Sequence, residues 1–168
     1  IRSVGFQPKP LNPAASEKDS DPVLKEGNLL SNVFNRAVRS CFYTAQKYND
    51  GKIPVKCISK HVLGDACNTI LEYERLMYEY NFHLVMNLMD TYIRNINKYW
   101  SKNMKEADDK NDNDLRMQVL ADAFHMVRTA AVLMHPIAPE GTEMILDYLR
   151  LGEEFWSWER IFEPVYSF

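Results

Sequence analysis

Asn35 and Arg39 stand one helical turn apart, and Trp100 closes a basic stretch from Tyr92 that reads YIRNINKYW. The chemistry these three residues suit is recognition of a nucleobase. An amide and a guanidinium present donors and acceptors to a base edge, and an indole offers a face for stacking. Arg36, and the pair Arg94 and Lys98 spaced i,i+4 beside Trp100, are cations of the kind that hold phosphates. Each residue also has a plainer reading. Trp100 follows Ile96 by four and so falls on an apolar stripe, as a core residue would. Asn35, Arg39, Arg94 and Lys98 also fit an ordinary solvated face.

Charge is distributed unevenly around these positions. The 168 residues carry a net charge of -3, which argues against a generally basic nucleic-acid binder. Yet between Ser31 and Lys60 six basic residues (Arg36, Arg39, Lys47, Lys52, Lys56, Lys60) face Asp50 alone, a net +5. Thr91 to Lys105 holds Arg94, Lys98, Lys102 and Lys105 with no acid, a net +4. Ala138 to Glu163 sets seven acids against Arg150 and Arg160, a net -5. A basic half beside an acidic half fits a local site for a polyanion.

Other chemistries find little support. Ferritin-like metal bundles need Glu-x-x-His pairs on facing helices, and none of His61, His83, His125 and His135 has a Glu three residues before it. There is no glycine-rich phosphate loop and no G-x-S-x-G elbow. The acidic clusters at 108–114 and 153–154 read as solvated turns. No catalytic residue and no metal ligand is expected. Cys41, Cys57 and Cys67 lack a CxxC spacing and are odd in number, which fits a reducing, cytoplasmic setting better than a disulfide framework. No apolar run reaches the length of a membrane span.

The elements that must position the candidate residues are helical throughout. Pro8, Pro10, Pro13 and Pro22 make residues 1–22 a linker or extended strap from a preceding domain, and the chain begins at Ile1 like a piece of a longer polypeptide. From Val23 onward a single bundle is expected, spanning 23–168. Leu30, Phe34, Ala37, Cys41, Ala45 and Tyr48 form one helical stripe, stopped at Asn49-Asp50-Gly51. Two helices should follow between Val62 and Trp100, broken near Glu79 to Asn81. The second carries Phe82, Val85, Met86, Met89, Tyr92, Ile93, Ile96 and Trp100. Lys102 to Asp114 reads as a polar turn with Asp112 or Asn113 as N-cap. The next helix shows Leu115, Val119, Leu120, Ala123, Val127, Ala130 and Met134 and ends at Pro136. Pro139 suits the first position of a last helix through Leu149. The expected fold is all-α, an antiparallel bundle of about five helices.

Four segments together resemble the anticodon-binding bundle of methionyl-tRNA synthetases, class I aminoacyl-tRNA synthetases. Asn28-Leu29 through Asn32, Asn35 and Arg39 is similar to the family's first bundle helix, N-L-x-x-N-x-x-N-x-x-x-R. Tyr48 to Pro54 resembles its aromatic–aspartate–glycine turn, and Asn87 to Trp100 its N-x-Y-I…W helix. Leu133 to Pro139, with Leu151-Gly152-Glu153 and Trp158-Glu159, resembles its closing segment. The resemblance covers roughly Gly27 to Pro164. The family tryptophan usually follows a proline, whereas Tyr99 precedes Trp100 here. An ungapped alignment through the Asp-Gly turn would put Arg36 and Ser40, not Asn35 and Arg39, at the reading positions.

The resemblance implies that Asn35 and Arg39 read the first anticodon base while Trp100 stacks in the loop. It implies a tRNA anticodon stem-loop as partner, tRNA-Met with CAU, and the catalytic domain of the same synthetase as a second. Methionine, ATP and Mg would belong to the parent enzyme. No cofactor is implied for this bundle, nor DNA or a membrane as partner. A sibling synthetase for isoleucine, leucine, valine or cysteine is an alternative, as is a helical protein-interaction module without tRNA binding.

Overall fold

The computed structural model describes residues 27–149 and 152–165, among which the chain is helical and contains no strand. The expected linker and the start of the bundle at Val23 lie outside them. Helix α1 (Asn35–Tyr48) is entered through a π-helical turn, Leu29–Phe34. No glycine or proline interrupts it, and Phe34, Ala37, Val38, Cys41 and Ala45 are buried along one side. It stops because Asp50 and Gly51 take φ of 51° and 73°, a backbone that glycine adopts without steric cost. The amides of Asn49 and Gly51 both donate to the Ala45 carbonyl, at 2.9 and 3.0 Å, which satisfies that end of the helix. Tyr48, expected on the buried stripe, is 39% exposed, and the Arg116 guanidinium lies 4.5 Å from its ring centroid.

Helix α2 (Lys60–Tyr78) and helix α3 (Phe82–Asp109) flank the expected break at 79–81. Helix α3 does not end at Trp100. It runs to Asp109 and takes in most of the segment read as a polar turn, because 101–109 holds no glycine or proline and consists largely of good helix formers. The turn comes at Asn111, whose φ is 50°. Asp112 then caps helix α4 (Asn113–Met134) by accepting from the Leu115 amide at 3.0 Å. Helix α5 (Pro139–Leu149) starts at the expected proline, followed by short 3-10 turns at Glu153–Trp156 and Trp158–Arg160.

Helix α4 is the axis of the bundle. It packs against α1, α2, α3 and α5, and from Arg116 to Met134 every residue except Gln118 and Val132 is buried. One apolar stripe was expected; burial on all sides is observed. The small side chains of Ala121, Ala123, Ala130 and Ala131 let neighbours approach from each direction.

Burial on every face also encloses polar groups, and each of two takes a set of partners. The Asp122 carboxylate accepts the Ser59 amide at 2.8 Å, the Ser59 hydroxyl at 2.6 Å and the Tyr99 hydroxyl at 2.6 Å. Burial, then this hydrogen bond, raises the Tyr99 phenol above its ordinary range. Arg128 donates to the carbonyls of Ile161 at 2.6 Å and Arg160 at 2.8 Å, pinning the closing segment to the core.

Contacts along the helices set their directions. Arg116 at the start of α4 pairs with Asp108 at the end of α3, at 3.0 Å, and stacks over Tyr48 at the end of α1. Asn97 in α3 donates to the Val33 carbonyl at the entry to α1, at 2.9 Å. Helices α1 and α3 therefore run in the same direction, and α4 runs against both. No helix among the described residues is long and apolar enough to cross a membrane.

Candidate nucleic-acid interface

An open groove of about 1220 Å³ lies between α1, the 51–55 loop and α5. Asn35 and Arg39 line it together, as do Phe42 and Gln46 further along α1. Its floor is apolar and firmly packed. The Phe42 ring meets Phe124 of the central helix edge-on at 5.9 Å and Tyr148 of α5 at 6.0 Å. On the far wall Thr142 is buried, bonded to the Ala138 carbonyl at 3.0 Å and to His135 Nδ1 at 2.9 Å. These bonds hold the first turn of α5 against the end of α4, and so fix the width of the groove.

Charge within the groove differs from charge on the whole chain. Arg39 and Lys52 line it, and no carboxylate does among the described residues. Glu140, Glu143 and Asp147 of α5 sit on other faces of that helix, while Gly141, Thr142, Met144, Ile145 and Tyr148 turn toward α1. Asn35 and Arg39 are exposed, and Arg39 makes no ion pair among the described residues. Both side chains are available to a ligand.

The other expected residues lie elsewhere. Asn97 reaches toward α1, and Trp100, one turn later, shares that side of α3. Trp100 is half-buried against the core and does not line the groove. Arg36 is exposed and Ser40 partly so, and neither lines the groove. Arg94 and Lys98 are exposed on the outer face of α3; Arg94 pairs with Asp90 at 2.9 Å, and Lys98 pairs with no acid among the described residues. The six candidates thus divide into two sets. Asn35 and Arg39 face the groove. Arg36, Trp100, Arg94 and Lys98 do not line it.

Several groove residues were not among the candidates: Tyr43, Gln46, Lys52, Tyr148. Tyr43 and Tyr148 are 67% and 70% exposed, unusual for rings beside an apolar floor. A sequence signal for the first two did exist. Asn35, Arg39, Tyr43 and Gln46 recur at four, four and three residues, a polar-aromatic stripe running beside the apolar one. Nothing local ties Tyr148 to them, because α5 reaches α1 only through tertiary packing.

A second apolar cleft, of about 340 Å³, is lined by Tyr73, Met77, Tyr78, Val132, Pro136 and Trp158. Among the described residues no group of three or more His, Cys, Asp or Glu side chains could hold a metal ion. His125 is buried three residues after Asp122, and its Nδ1 finds no hydrogen-bond partner among the described residues. Comparison of the chain with models of known protein families finds no match, and none is found among curated proteins.

Proposed function

We propose that this bundle binds the anticodon stem-loop of a tRNA, that of tRNA-Met with CAU, as part of a methionyl-tRNA synthetase. One observation carries the reading. Asn35 and Arg39, one turn apart and both exposed, line the same open groove, which among the described residues holds cations without carboxylates. An unpaired base entering it would meet an amide and a guanidinium at its edge. A wrong base would leave those groups without partners, which is how a polar site rejects a near-match.

The bundle needs no chemistry of its own for this role. Docking the anticodon loop would orient the rest of the tRNA toward a catalytic domain of the same synthetase. That domain would join methionine to tRNA with ATP and Mg, in the cytoplasm. Phosphates contribute register and salt-dependent affinity through Arg36, Lys52 and Lys98.

The exposed aromatic side chains Tyr78, Tyr80 and Phe82 at the α2–α3 turn favour a second reading, a helical module that docks another protein. The test is fluorescence anisotropy at fixed salt with a CAU stem-loop and with one altered at its first anticodon base. Preference for CAU of tenfold or more is the expected result. Equal affinity for both would remove anticodon reading, and no binding at low salt would leave the protein-docking reading.

A further inference from the structure

We infer that Tyr43 and Tyr148, rather than Trp100, supply the stacking surface for unpaired bases of a bound RNA loop, with the α1–α5 groove as their receptacle. The inference rests on the RNA-binding reading above and goes beyond it by naming which rings take the bases.

Placement is the first argument. A stacking residue must present a ring face where bases arrive, and it must stand near the groups that read their edges. Tyr43 follows Arg39 by one helical turn, so the two side chains lie one above the other on α1. Tyr148 enters from α5 on the opposite wall, its ring held 6.0 Å from Phe42. Both rings line the groove that holds Asn35 and Arg39. Trp100 meets neither condition: it is half-buried against the core, on the side of α3 that faces α1 near Val33.

Exposure is the second argument. Tyr43 and Tyr148 leave about two-thirds of their surface in solvent, 67% and 70%, although an apolar floor with room to bury them lies beside them. Rings kept open on a supporting floor form a platform, and any base can use one because every base has a π-face.

Size and charge indicate the kind of occupant. At about 1220 Å³ the groove exceeds the roughly 300–1,000 Å³ typical of small-ligand pockets, so it has room for more than one nucleotide. Arg39 and Lys52 stand on the α1 and loop side, whereas α5 carries Glu140, Glu143 and Asp147 on its other faces. A bound strand would therefore keep its phosphates toward Lys52 and away from the acids of α5, with its bases in the groove between Tyr43 and Tyr148. A protein helix would gain nothing from this one-sided cationic rim unless it were acidic.

The test compares the whole chain with Tyr43→Ala, Tyr148→Ala and Trp100→Phe by anisotropy on the CAU stem-loop across a salt series. Thermal unfolding checks that each variant is folded. Each tyrosine substitution should weaken binding roughly tenfold, as losing one stacked base does, with the slope of affinity against salt unchanged because no phosphate contact is removed. Trp100→Phe should stay within about twofold. A 2-aminopurine placed in the loop should be quenched by the whole chain and less so by Tyr148→Ala. If the chain binds the stem-loop and both tyrosine variants bind equally well, the inference is overturned while the RNA reading stands. If the chain binds no stem-loop, both fall together.

Discussion

Asn97 donates from Nδ2 to the Val33 carbonyl at 2.9 Å, and this bond sets where α3 meets the entry to α1. It fastens the one π-helical turn in the described structure, where the register of backbone bonds changes just before Asn35. It therefore bears on how the groove-lining face of α1 is aimed. Asn97→Ala should cost about 1 kcal/mol, the usual net worth of one hydrogen bond, read as a lower urea midpoint with an unchanged slope. An unaltered midpoint would mean that water replaces the amide without loss.

Asp122 joins three elements by accepting from Ser59 and from Tyr99. Asp122→Ala removes an acceptor that the Ser59 amide and the Tyr99 hydroxyl both use in a half-buried place. The expected cost is about 3 kcal/mol, since stranded donors forfeit their desolvation energy. Equilibrium denaturation measures it, and a loss below about 1 kcal/mol would show that solvent reaches the junction.

Arg128 is wholly buried and spends its guanidinium on the carbonyls of Arg160 and Ile161. Burial lowers its pKa to about 10, still high enough to keep it charged at neutral pH. Arg128→Met fills similar space but leaves those carbonyls without the donor. Limited proteolysis should then cut the closing segment, 152–165, at least tenfold faster while the helices stay protected. Unchanged cleavage would show that packing alone, through Ile161 and Val165, holds the segment.

His125 should give the bundle a pH-dependent stability. Burial first, then the nearby Arg128, lowers its pKa from 6.5 to about 4, against a smaller opposite effect of Asp122. The unfolded chain thus takes up the proton before the folded one does. Stability from the neutral ring is full above pH 6.5 and is lost as pH falls toward 4. The loss is on the order of 3 kcal/mol. Comparing wild type with His125→Leu by denaturation between pH 7 and 4 isolates it from the carboxylates. Parallel pH curves for the two proteins would contradict it.

How much of this was legible in the sequence depended on whether the signal was local. The stop at Asp50-Gly51, the cap at Asp112 and the start at Pro139 depend on residues at fixed offsets, and each stands where expected. The end of α3 was misplaced because polar residues from Lys102 onward look like a turn, although most of them are good helix formers. The all-round burial of α4 escaped because alanine is compatible with either face. Helix α5 was foreseen as an element, but not as the second wall of a groove. Asn35 and Arg39 could be found one turn apart; Tyr148, over a hundred residues later in the chain, could not be joined to them without the packing of Phe42 between α1 and α5.

The central claim is that the α1–α5 groove receives an RNA loop, and mapping by NMR tests it most directly. The isotope-labelled chain would be titrated with the CAU stem-loop while backbone amides and the three indole signals are followed. Shifts should concentrate at 35–46, 51–55 and 141–148, with those of Trp156 and Trp158 unmoved. Shifts centred instead on 78–82 and Trp158, or spread along the outer face of α3 with the groove silent, would contradict it.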